Sequence, residues 1–199
     1  RHPMHILLAP DKFKGALSAE GVCQAMERGI GLAVPEARVT AFPLADGGEG
    51  SAEIFRLHTQ GERRPCEVHD PLGHLVAATY TVSGDGKTAF VEMAQASGLA
   101  LLPPAARDPL RTSTFGTGEL IRDAWAQGAE RLLLGIGGSA TNDAGMGMAA
   151  ALGYDFLDAG GQLLKPSGAA LAQVAEIRRQ PDAPDLSGLK VEVACDVTN

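Results

Sequence analysis

The sequence predicts an α/β fold, with a parallel α/β lobe followed by a second, mixed α/β lobe that contains antiparallel strands. Short apolar runs alternate with stretches of helical period up to about residue 60 and again after Pro104, as they do in parallel α/β sheets. Between these segments, turn sequences separate strand-like runs without an intervening helix. Hydrophobic residues form 45% of the 199 residues, which is enough to bury a core.

The first lobe is predicted over residues 1–64, with strand, helix, strand and helix in that order. An apolar run ended by Pro10 is typical of a buried parallel strand, and Ser18 is placed to cap the helix that follows. The predicted elements are a strand at residues 4–9, a helix between Ser18 and Pro35, a strand at 38–42 and a helix at 51–58 that closes near Gly61.

The second lobe is predicted over residues 65–199 and begins with antiparallel strands. Asp70-Pro-Leu-Gly73 and Ser83-Gly-Asp-Gly86 are turn sequences that separate two strand-like runs. The α/β order resumes after Pro104. The predicted elements are strands at residues 75–82 and 88–93, a helix at 119–127, a strand at 131–135, a helix at 144–152, a hairpin around 159–161, a helix at 169–177 and a strand at 191–195.

Charge and cysteine content exclude several classes of function. The net charge of −7 argues against general binding of nucleic acid or of an anionic membrane, because either needs a positive face. Three widely spaced cysteines without a Cys-x-x-Cys pair suggest neither a disulfide framework nor a zinc site. The sequence has no apolar run long enough to span a bilayer and no signal-peptide core, so we expect a cytoplasmic protein.

The glycine-rich segment Gly135-Ile-Gly-Gly-Ser-Ala-Thr-Asn-Asp-Ala-Gly145 is the strongest candidate for an anion-binding loop. It lies between a predicted strand and a predicted helix, where free backbone N–H groups and the helix dipole attract anions. Asp143 is placed either to cap the helix or to hold a cation beside phosphates. A tight, capped turn that binds nothing is the alternative. The candidate phosphate-binding residues are Gly137, Gly138, Ser139, Ala140, Thr141 and Asn142.

A dinucleotide site is a second interpretation of the same segment. Gly135-x-Gly137-x-x-Ala140 matches the dinucleotide fingerprint, and Asp155 lies about 20 residues beyond its start. The polar continuation differs from the apolar helix start that packs under a pyrophosphate, which argues against this interpretation. An NAD(P)-dependent dehydrogenase therefore stays open as an alternative. Gly86-Lys87-Thr88 supplies only the end of a Walker motif and is predicted to be a hairpin turn.

Three further glycine-containing loops carry polar side chains at predicted strand or helix ends, where open α/β sheets bind their ligands. Lysines and carboxylates at such positions suit phosphate or carboxylate substrates and Mg²⁺. Together with the segment at residues 135–145, these loops favour phosphoryl transfer, which depends on positioning and on neutralisation of charge. Their candidate residues are Asp11, Lys12 and Lys14, then Asp46 and Glu49, then Thr117 in the loop at residues 112–118, with Asp196 after the last strand.

Four of these motifs together resemble the bacterial type-1 glycerate kinases, and the resemblance extends over residues 4–199. Several ordered motifs of this length are more specific than a single glycine fingerprint. The motifs are Ala9-Pro-Asp-Lys-Phe-Lys-Gly-Ala-Leu-Ser18, Ala45-Asp-Gly-Gly-Glu-Gly50, Thr114-Phe-Gly-Thr-Gly118 and Gly137-Gly-Ser-Ala-Thr-Asn-Asp-Ala-Gly145.

The resemblance implies a two-lobed kinase that phosphorylates D-glycerate with ATP and Mg²⁺, giving 2-phosphoglycerate. Family members are about twice as long as this chain, so the resemblance also implies that the chain is an N-terminal half with incomplete lobes, whose apolar edges favour self-association. A non-catalytic small-molecule-binding module is a third alternative. The implied roles are catalysis for Lys14, Asp46 and Asp143; glycerate binding for Asp11, Lys12, Lys14, Asp46 and Glu49; phosphate binding for Thr117 and Gly137 to Asn142; and metal binding for Asp196.

Overall fold

The structure, a computed structural model, describes residues 4–13, 15–48 and 50–195. Its strands are β1 (His5–Leu8), β2 (Arg38–Ala41), β3 (Glu62–His69), β4 (Leu75–Val82), β5 (Thr88–Glu92), β6 (Arg131–Gly135), β7 (Tyr154–Leu157), β8 (Glu176–Arg179) and β9 (Lys190–Ala194). Its helices are α1 (Ala19–Ala33), α2 (Ser51–Thr59), α3 (Ala94–Ser97), α4 (Phe115–Ala126) and α5 (Met146–Ala151). Short 3₁₀ helices span Leu99–Leu101, Pro104–Ala106 and Gly168–Gln173.

The central sheet has the strand order β3-β4-β5-β6-β9. β3, β4 and β5 are antiparallel neighbours, whereas β5, β6 and β9 run parallel. The turn between β3 and β4 forms because the Asp70 carboxylate accepts the backbone N–H groups of Leu72 and His74, and Gly73 supplies a φ of 91°. The mixed sheet confirms the predicted fold class and places the carboxyl ends of β5, β6 and β9 at one edge.

The main core lies between this sheet and α4. Leu120 and Ile121 of α4 are buried, and so are Leu132 of β6 and Val91 of β5. Tyr80 is only 1% exposed, and its hydroxyl donates a 2.7 Å hydrogen bond to Asp123 of α4. Burial and the nearby carboxylate together raise the pKa of Tyr80. The hydroxyl therefore stays protonated and holds α4 on the sheet.

The first strand is parallel to β2, as predicted, but the expectation that it is buried holds only for Leu8, which is 3% exposed. Met4 and Leu7 are 58% and 63% exposed, because β1 pairs with β2 alone in a two-stranded sheet. The Ser18 cap of α1 is confirmed, since its hydroxyl accepts the N–H of Gly21 at 3.1 Å. Val22 and Cys23 of α1 are buried, but Met26, one turn further along the helix, is 44% exposed.

Several predicted elements in the rest of the chain also need correction. The helix expected at residues 169–177 is a 3₁₀ helix that ends at Gln173, and Ile177 lies in β8. α2 closes next to Gly61, as predicted, although the residue in the left-handed region is Gln60. β3 was not predicted, because its charged start and Pro65 hide the strand pattern, although an edge strand tolerates proline. The boundary placed between residues 64 and 65 falls inside β3, and the division into two lobes stays a prediction.

Candidate active site

A cleft of about 880 Å³ lies where three of the predicted loops meet the end of β9. A cleft of this size is within the usual range of small-molecule binding sites. The structure therefore brings the first, second and fourth motifs together, while the loop at residues 112–118 lies elsewhere. The described lining residues are Lys12, Phe13, 15–18, Asp46, 47, 48, 50, 136–138 and 194–195.

Glycines allow the second loop to lie directly on the ends of β6 and β9. A Cβ on Gly47 would stand 2.9 Å from the Ala194 carbonyl oxygen, and Gly47 has a φ of 87°. A Cβ on Gly135 would stand 2.7 Å from the Gly47 carbonyl oxygen, and one on Gly137 would stand 2.8 Å from the Gly48 Cα. These distances are too short for any side chain, so the backbones form the floor of the cleft.

Lys12 and Asp46 form an ion pair at the cleft. The Lys12 Nζ lies 3.3 Å from Asp46 Oδ1, which also accepts the Gly48 N–H at 2.9 Å. The Gly48 hydrogen bond, and after it the Lys12 ammonium, lower the pKa of Asp46 below its usual 3.8. Asp46 is therefore anionic at neutral pH. Both side chains remain partly accessible to a ligand, at 23% and 35% exposure.

The amino ends of two helices also reach the cleft. Ser18 caps the 15-residue α1 and Gly50 precedes α2, and both residues line the cleft. Helix amino ends carry partial positive charge and attract anions. Together with Lys12, they give this part of an acidic protein a local preference for carboxylate or phosphate groups.

Other residues of the first two motifs lie beside the cleft or outside the described residues. Asp11 lines a neighbouring cavity of about 130 Å³, and its carboxylate accepts the Lys12 N–H at 2.6 Å. The predicted residues Lys14, Glu49 and Asp196 lie outside the described residues, and their roles stay predictions.

Only the start of the glycine-rich segment lines the cleft. Gly137 and Gly138 do so, but the chain then turns towards α3. The Ala140 N–H donates to the Ser97 carbonyl oxygen at 2.8 Å, and the Thr112 hydroxyl donates to the Ala140 carbonyl oxygen at 2.9 Å. The predicted phosphate-binding residues Ser139, Ala140, Thr141 and Asn142 are absent from the described lining of the cleft. These contacts hold the middle of the segment against the core of the protein.

Asp143 has the geometry of the capping alternative. It is 1% exposed, and its carboxylate accepts the Thr114 N–H at 2.8 Å, the Thr114 hydroxyl at 3.0 Å and the Gly147 N–H at 3.0 Å. It thus ties the amino end of α4 to that of α5. The expected helix at residues 144–152 begins only at Met146, so no long helix points its amino end at the cleft from this segment.

Thr117 is likewise buried. It is 0% exposed, lies within α4, and its hydroxyl shares a 2.7 Å hydrogen bond with the Ser97 hydroxyl. The predicted helix at residues 119–127 begins earlier, at Phe115, so that what was expected as a loop is partly helical. This placement gives Thr117 a packing role and does not bring it to the described cleft.

The topology does not support the dinucleotide interpretation. In a dinucleotide fold, the acidic residue follows the next parallel strand of the same sheet. Asp155 instead lies on β7, which pairs antiparallel with β8 in a separate sheet, and its carboxylate accepts an amide N–H of Gln180 at 2.7 Å. The fingerprint at Gly135 is therefore a coincidence of glycine spacing.

Glu92 is a residue of this region that the sequence did not point out. It ends β5 directly beside Gly135 of β6, it is 6% exposed, and its carboxylate accepts the Ala52 N–H of α2 at 3.0 Å. The apolar run that precedes Glu92 indicates only a strand. In the sequence, the available signal for Glu92 was that it is an acidic residue at the end of a predicted strand.

The described residues of the cleft supply one side chain that suits Mg²⁺. Mg²⁺ in phosphoryl-transfer sites is held by one or two carboxylates together with substrate phosphates. Asp46 supplies one partly exposed carboxylate there. Residues 4–13, 15–48 and 50–195 contain no group of three or more metal-ligating side chains, so any ion in this part of the cleft would depend on the substrate for most of its ligands.

Comparisons with known proteins agree on one family. The model of the glycerate kinase family matches residues 6–199. The chain is 48% identical to the glycerate 2-kinase of Escherichia coli K12 and 49% identical to the glycerate kinase of Bacillus subtilis, over 98% of this chain in each case. It covers 51% of both proteins, so the chain spans about half the length of the curated relatives it matches.

A solved structure is also similar to this chain over about half of its own length. A crystal structure provisionally described as glycerate kinase 2 from Salmonella typhimurium LT2 aligns with a TM-score of 0.89 and 49% identity, over 99% of this chain and 53% of that one. Within the described residues, no helix combines the length and hydrophobicity required to cross a bilayer. The similarity of the fold to that structure and the match to the family model lead to one conclusion: this chain belongs to the glycerate kinase family.

Proposed function

We propose that the full-length protein, meaning this chain with any sequence that adjoins it, phosphorylates D-glycerate with ATP and Mg²⁺ to give 2-phosphoglycerate. The observation that carries the proposal is the cleft in which Lys12, Asp46, the glycine backbones and two helix amino ends meet. These groups can neutralise and position anions, which is the main requirement of phosphoryl transfer. The name glycerate 2-kinase, borne by the Escherichia coli relative, supports the 2-hydroxyl as the acceptor.

In the proposed reaction, the glycerate hydroxyl oxygen forms a bond to the γ-phosphorus of ATP while the bond from that phosphorus to the ADP oxygen breaks. Asp46 accepts a hydrogen bond from the hydroxyl, which orients the oxygen, and takes its proton as the new bond to phosphorus forms. Because the pKa of Asp46 is lowered, it is a weak base, which suits a loose transition state that needs orientation more than proton removal. Mg²⁺, when bound, would neutralise charge on the transferred phosphoryl group.

The remaining roles follow from position in the motifs. Lys12 and Lys14 bind the glycerate carboxylate or the transferred phosphate, and Gly137 and Gly138 offer backbone N–H groups to phosphate. The residues before β3 and those from β3 onward contribute to separate lobes, which close over the cleft to exclude water. Asp196 is a candidate Mg²⁺ ligand, since it directly follows Cys195 at the cleft. We also place the protein in the cytoplasm, where ATP is available.

Substituting Lys12 by methionine tests the function and the site together. Methionine keeps the length of the side chain but removes the charge, so we expect the KM for D-glycerate or for ATP to rise about tenfold or more, as for the loss of a charged hydrogen bond. The measurement is ADP release by full-length protein, with the product identified by ³¹P NMR. The exposed Lys87, which pairs with Glu130 far along the sheet, gives the control Lys87→Met. No turnover of D-glycerate by the wild-type protein, together with turnover of another hydroxy acid, refutes the substrate assignment.

Cysteine labelling provides a binding test that does not depend on turnover. Cys195 is exposed at the cleft, whereas Cys66 is partly buried and serves as an internal control. Burial, and after it the charges of Asp123 and Glu119, raise the pKa of Cys66 to about 11. Its thiol therefore stays protonated, and slow to react, until the pH approaches that value.

At pH 8 we expect iodoacetamide to label Cys195 about tenfold faster than Cys66, as measured by peptide mass spectrometry of the full-length protein. Saturating D-glycerate with ATP should slow labelling of Cys195 and leave Cys66 unchanged. Equal labelling of Cys195 with and without these ligands would show that they bind away from this cleft. Labelling of Cys66 should rise as the pH rises towards 11.

A further inference from the structure

Glu92 is a buried carboxylate at the carboxyl end of β5, next to the cleft. Its side chain has no ion-pair partner among the residues that the structure describes; one oxygen accepts the Ala52 N–H at 3.0 Å and the other lies 3.4 Å from the Gln95 amide nitrogen. Burying a carboxylate without a cation is costly. The two neutral N–H donors, from Ala52 and Gln95, offset little of this cost. The burial of Glu92 therefore needs another explanation.

The Ala52 N–H belongs to the first turn of α2, whose capping residue makes no side-chain hydrogen bond to the helix. The capping position is Gly50, whose φ of 92° and missing side chain provide no side-chain acceptor. The Gly48 carbonyl oxygen accepts the Ser51 N–H at 3.1 Å, so the Ala52 N–H is the next one that needs an acceptor. Glu92 supplies that acceptor from 40 residues away and also places a negative charge at the positive end of the helix. Glu92, at the end of β5, therefore caps the amino end of α2.

The first turn of α2 in turn holds the loop that carries Asp46. Ser51 is 4% exposed, and its hydroxyl donates to the Gly48 carbonyl oxygen at 2.7 Å. The Gly48 N–H then donates to the Asp46 carboxylate at 2.9 Å. A short series of hydrogen bonds thus leads from β5 to the Asp46 carboxylate at the cleft.

We propose that Glu92 is a positioning residue that fixes the Asp46 loop over the ends of β6 and β9. Because the sheet is rigid and the loop consists mostly of glycine, capping by Glu92 sets where Asp46 stands relative to Lys12. The expected effect of Glu92 on turnover rests on the proposed kinase function, whereas its expected effect on the loop does not.

The test compares full-length wild-type, Glu92→Ala and Glu92→Gln proteins. We expect Glu92→Ala to lower kcat for D-glycerate phosphorylation about 10–100-fold, as a displacement of about 1 Å would, with a smaller change in KM. Glu92→Gln keeps an oxygen that can accept the Ala52 N–H and should retain most of the activity. If Glu92→Ala fails to fold, Glu92→Leu, which preserves the volume of the buried side chain, replaces it.

A double-mutant cycle with Asp46→Asn separates positioning from general destabilisation. If Glu92 acts through Asp46, the loss caused by Glu92→Ala should nearly vanish in the Asp46→Asn protein, because residues that act as a unit are non-additive. The matched control is Glu119→Ala, which also removes a carboxylate bonded to a backbone N–H, that of His69 at 2.8 Å, but away from the cleft. It should lower stability and leave kcat unchanged. If the kcat losses of the two single variants multiply in the double variant, the proposal is overturned.

Hydrogen exchange gives a readout that is independent of the substrate. Glu92→Ala should speed exchange in peptides that cover residues 46–54 at least several-fold, with no change in β3 and β4. Unchanged exchange at residues 46–54 overturns the positioning role whatever the kinetics show. Absence of D-glycerate turnover in the wild-type protein would instead contradict the proposed function, and the exchange result would then decide the role of Glu92 alone.

Discussion

Replacing Asp46 by asparagine should lower kcat of the full-length protein about 10²–10⁴-fold, the usual range for loss of a catalytic acid or base. The asparagine side-chain oxygen can still accept the Gly48 N–H, so the loop should keep its conformation. What is lost is the negative charge beside Lys12 and the acceptor for the substrate hydroxyl hydrogen. The melting temperature should therefore change little while turnover falls.

The pH dependence follows from the same geometry. Since Gly48 and Lys12 lower the pKa of Asp46 below 3.8, Asp46 stays ionised as the pH falls to that value. Its contribution to stability is present above the unfolded pKa and is lost only as the pH falls through the lowered, folded pKa. Loss of activity between pH 5 and 7 would therefore come from another group.

Asp85→Asn is the matched control for Asp46→Asn. Asp85 also accepts a backbone N–H, that of Lys87 at 3.0 Å, and the Ser83 hydroxyl lowers its pKa in the same direction, but it lies in the turn before β5. Turnover should be unchanged in that variant. A loss of less than about threefold in the Asp46→Asn protein would remove Asp46 from the reaction, since such a change is smaller than the effect of one ordinary hydrogen bond.

Replacing Asp143 by alanine should lower the free energy of unfolding by about 3–5 kcal/mol, which is expected for loss of one partner in a buried charged network. The alanine would leave the Thr114 and Gly147 N–H groups buried without acceptors. Both helices α4 and α5 would lose the group that ties their amino ends together. Chemical denaturation followed by circular dichroism measures the change.

Asp158→Ala is the control for Asp143→Ala. Asp158 accepts two backbone N–H groups, from Gly160 at 2.8 Å and Gln162 at 2.9 Å, in an exposed turn. Water can replace those contacts, so the cost should be about 1 kcal/mol or less. If Asp143→Ala is as stable as Asp158→Ala but loses its turnover, Asp143 is a catalytic residue, as the sequence first suggested, and the capping role is secondary.

Patterns of neighbouring residues were sufficient for the local structure. Ser18 caps α1, Asp70 forms its turn, and β6 spans the predicted residues, because each depends on side chains within a few positions along the chain. Lys12 and Asp46 lie together because their loops follow the neighbouring parallel strands β1 and β2, whose carboxyl ends share one edge. Gly137 follows β6 of the five-stranded sheet, so its place at the same cleft was decided by the tertiary structure.

Burial and pairing between distant residues were decided only by the tertiary structure. Thr117 and Asp143 read as polar loop residues in the sequence, but packing of α4 against α3 and α5 encloses both of them. Ile177 reads as part of a helix, yet pairing with β7 makes it a strand residue. The sequence by itself determined the fold class and the family, and it indicated the loops that hold the candidate residues. The tertiary structure decided which side chains in those loops face the cleft, and it brought Glu92 to the end of α2, because a hydrogen bond across 40 residues leaves no local pattern in the sequence.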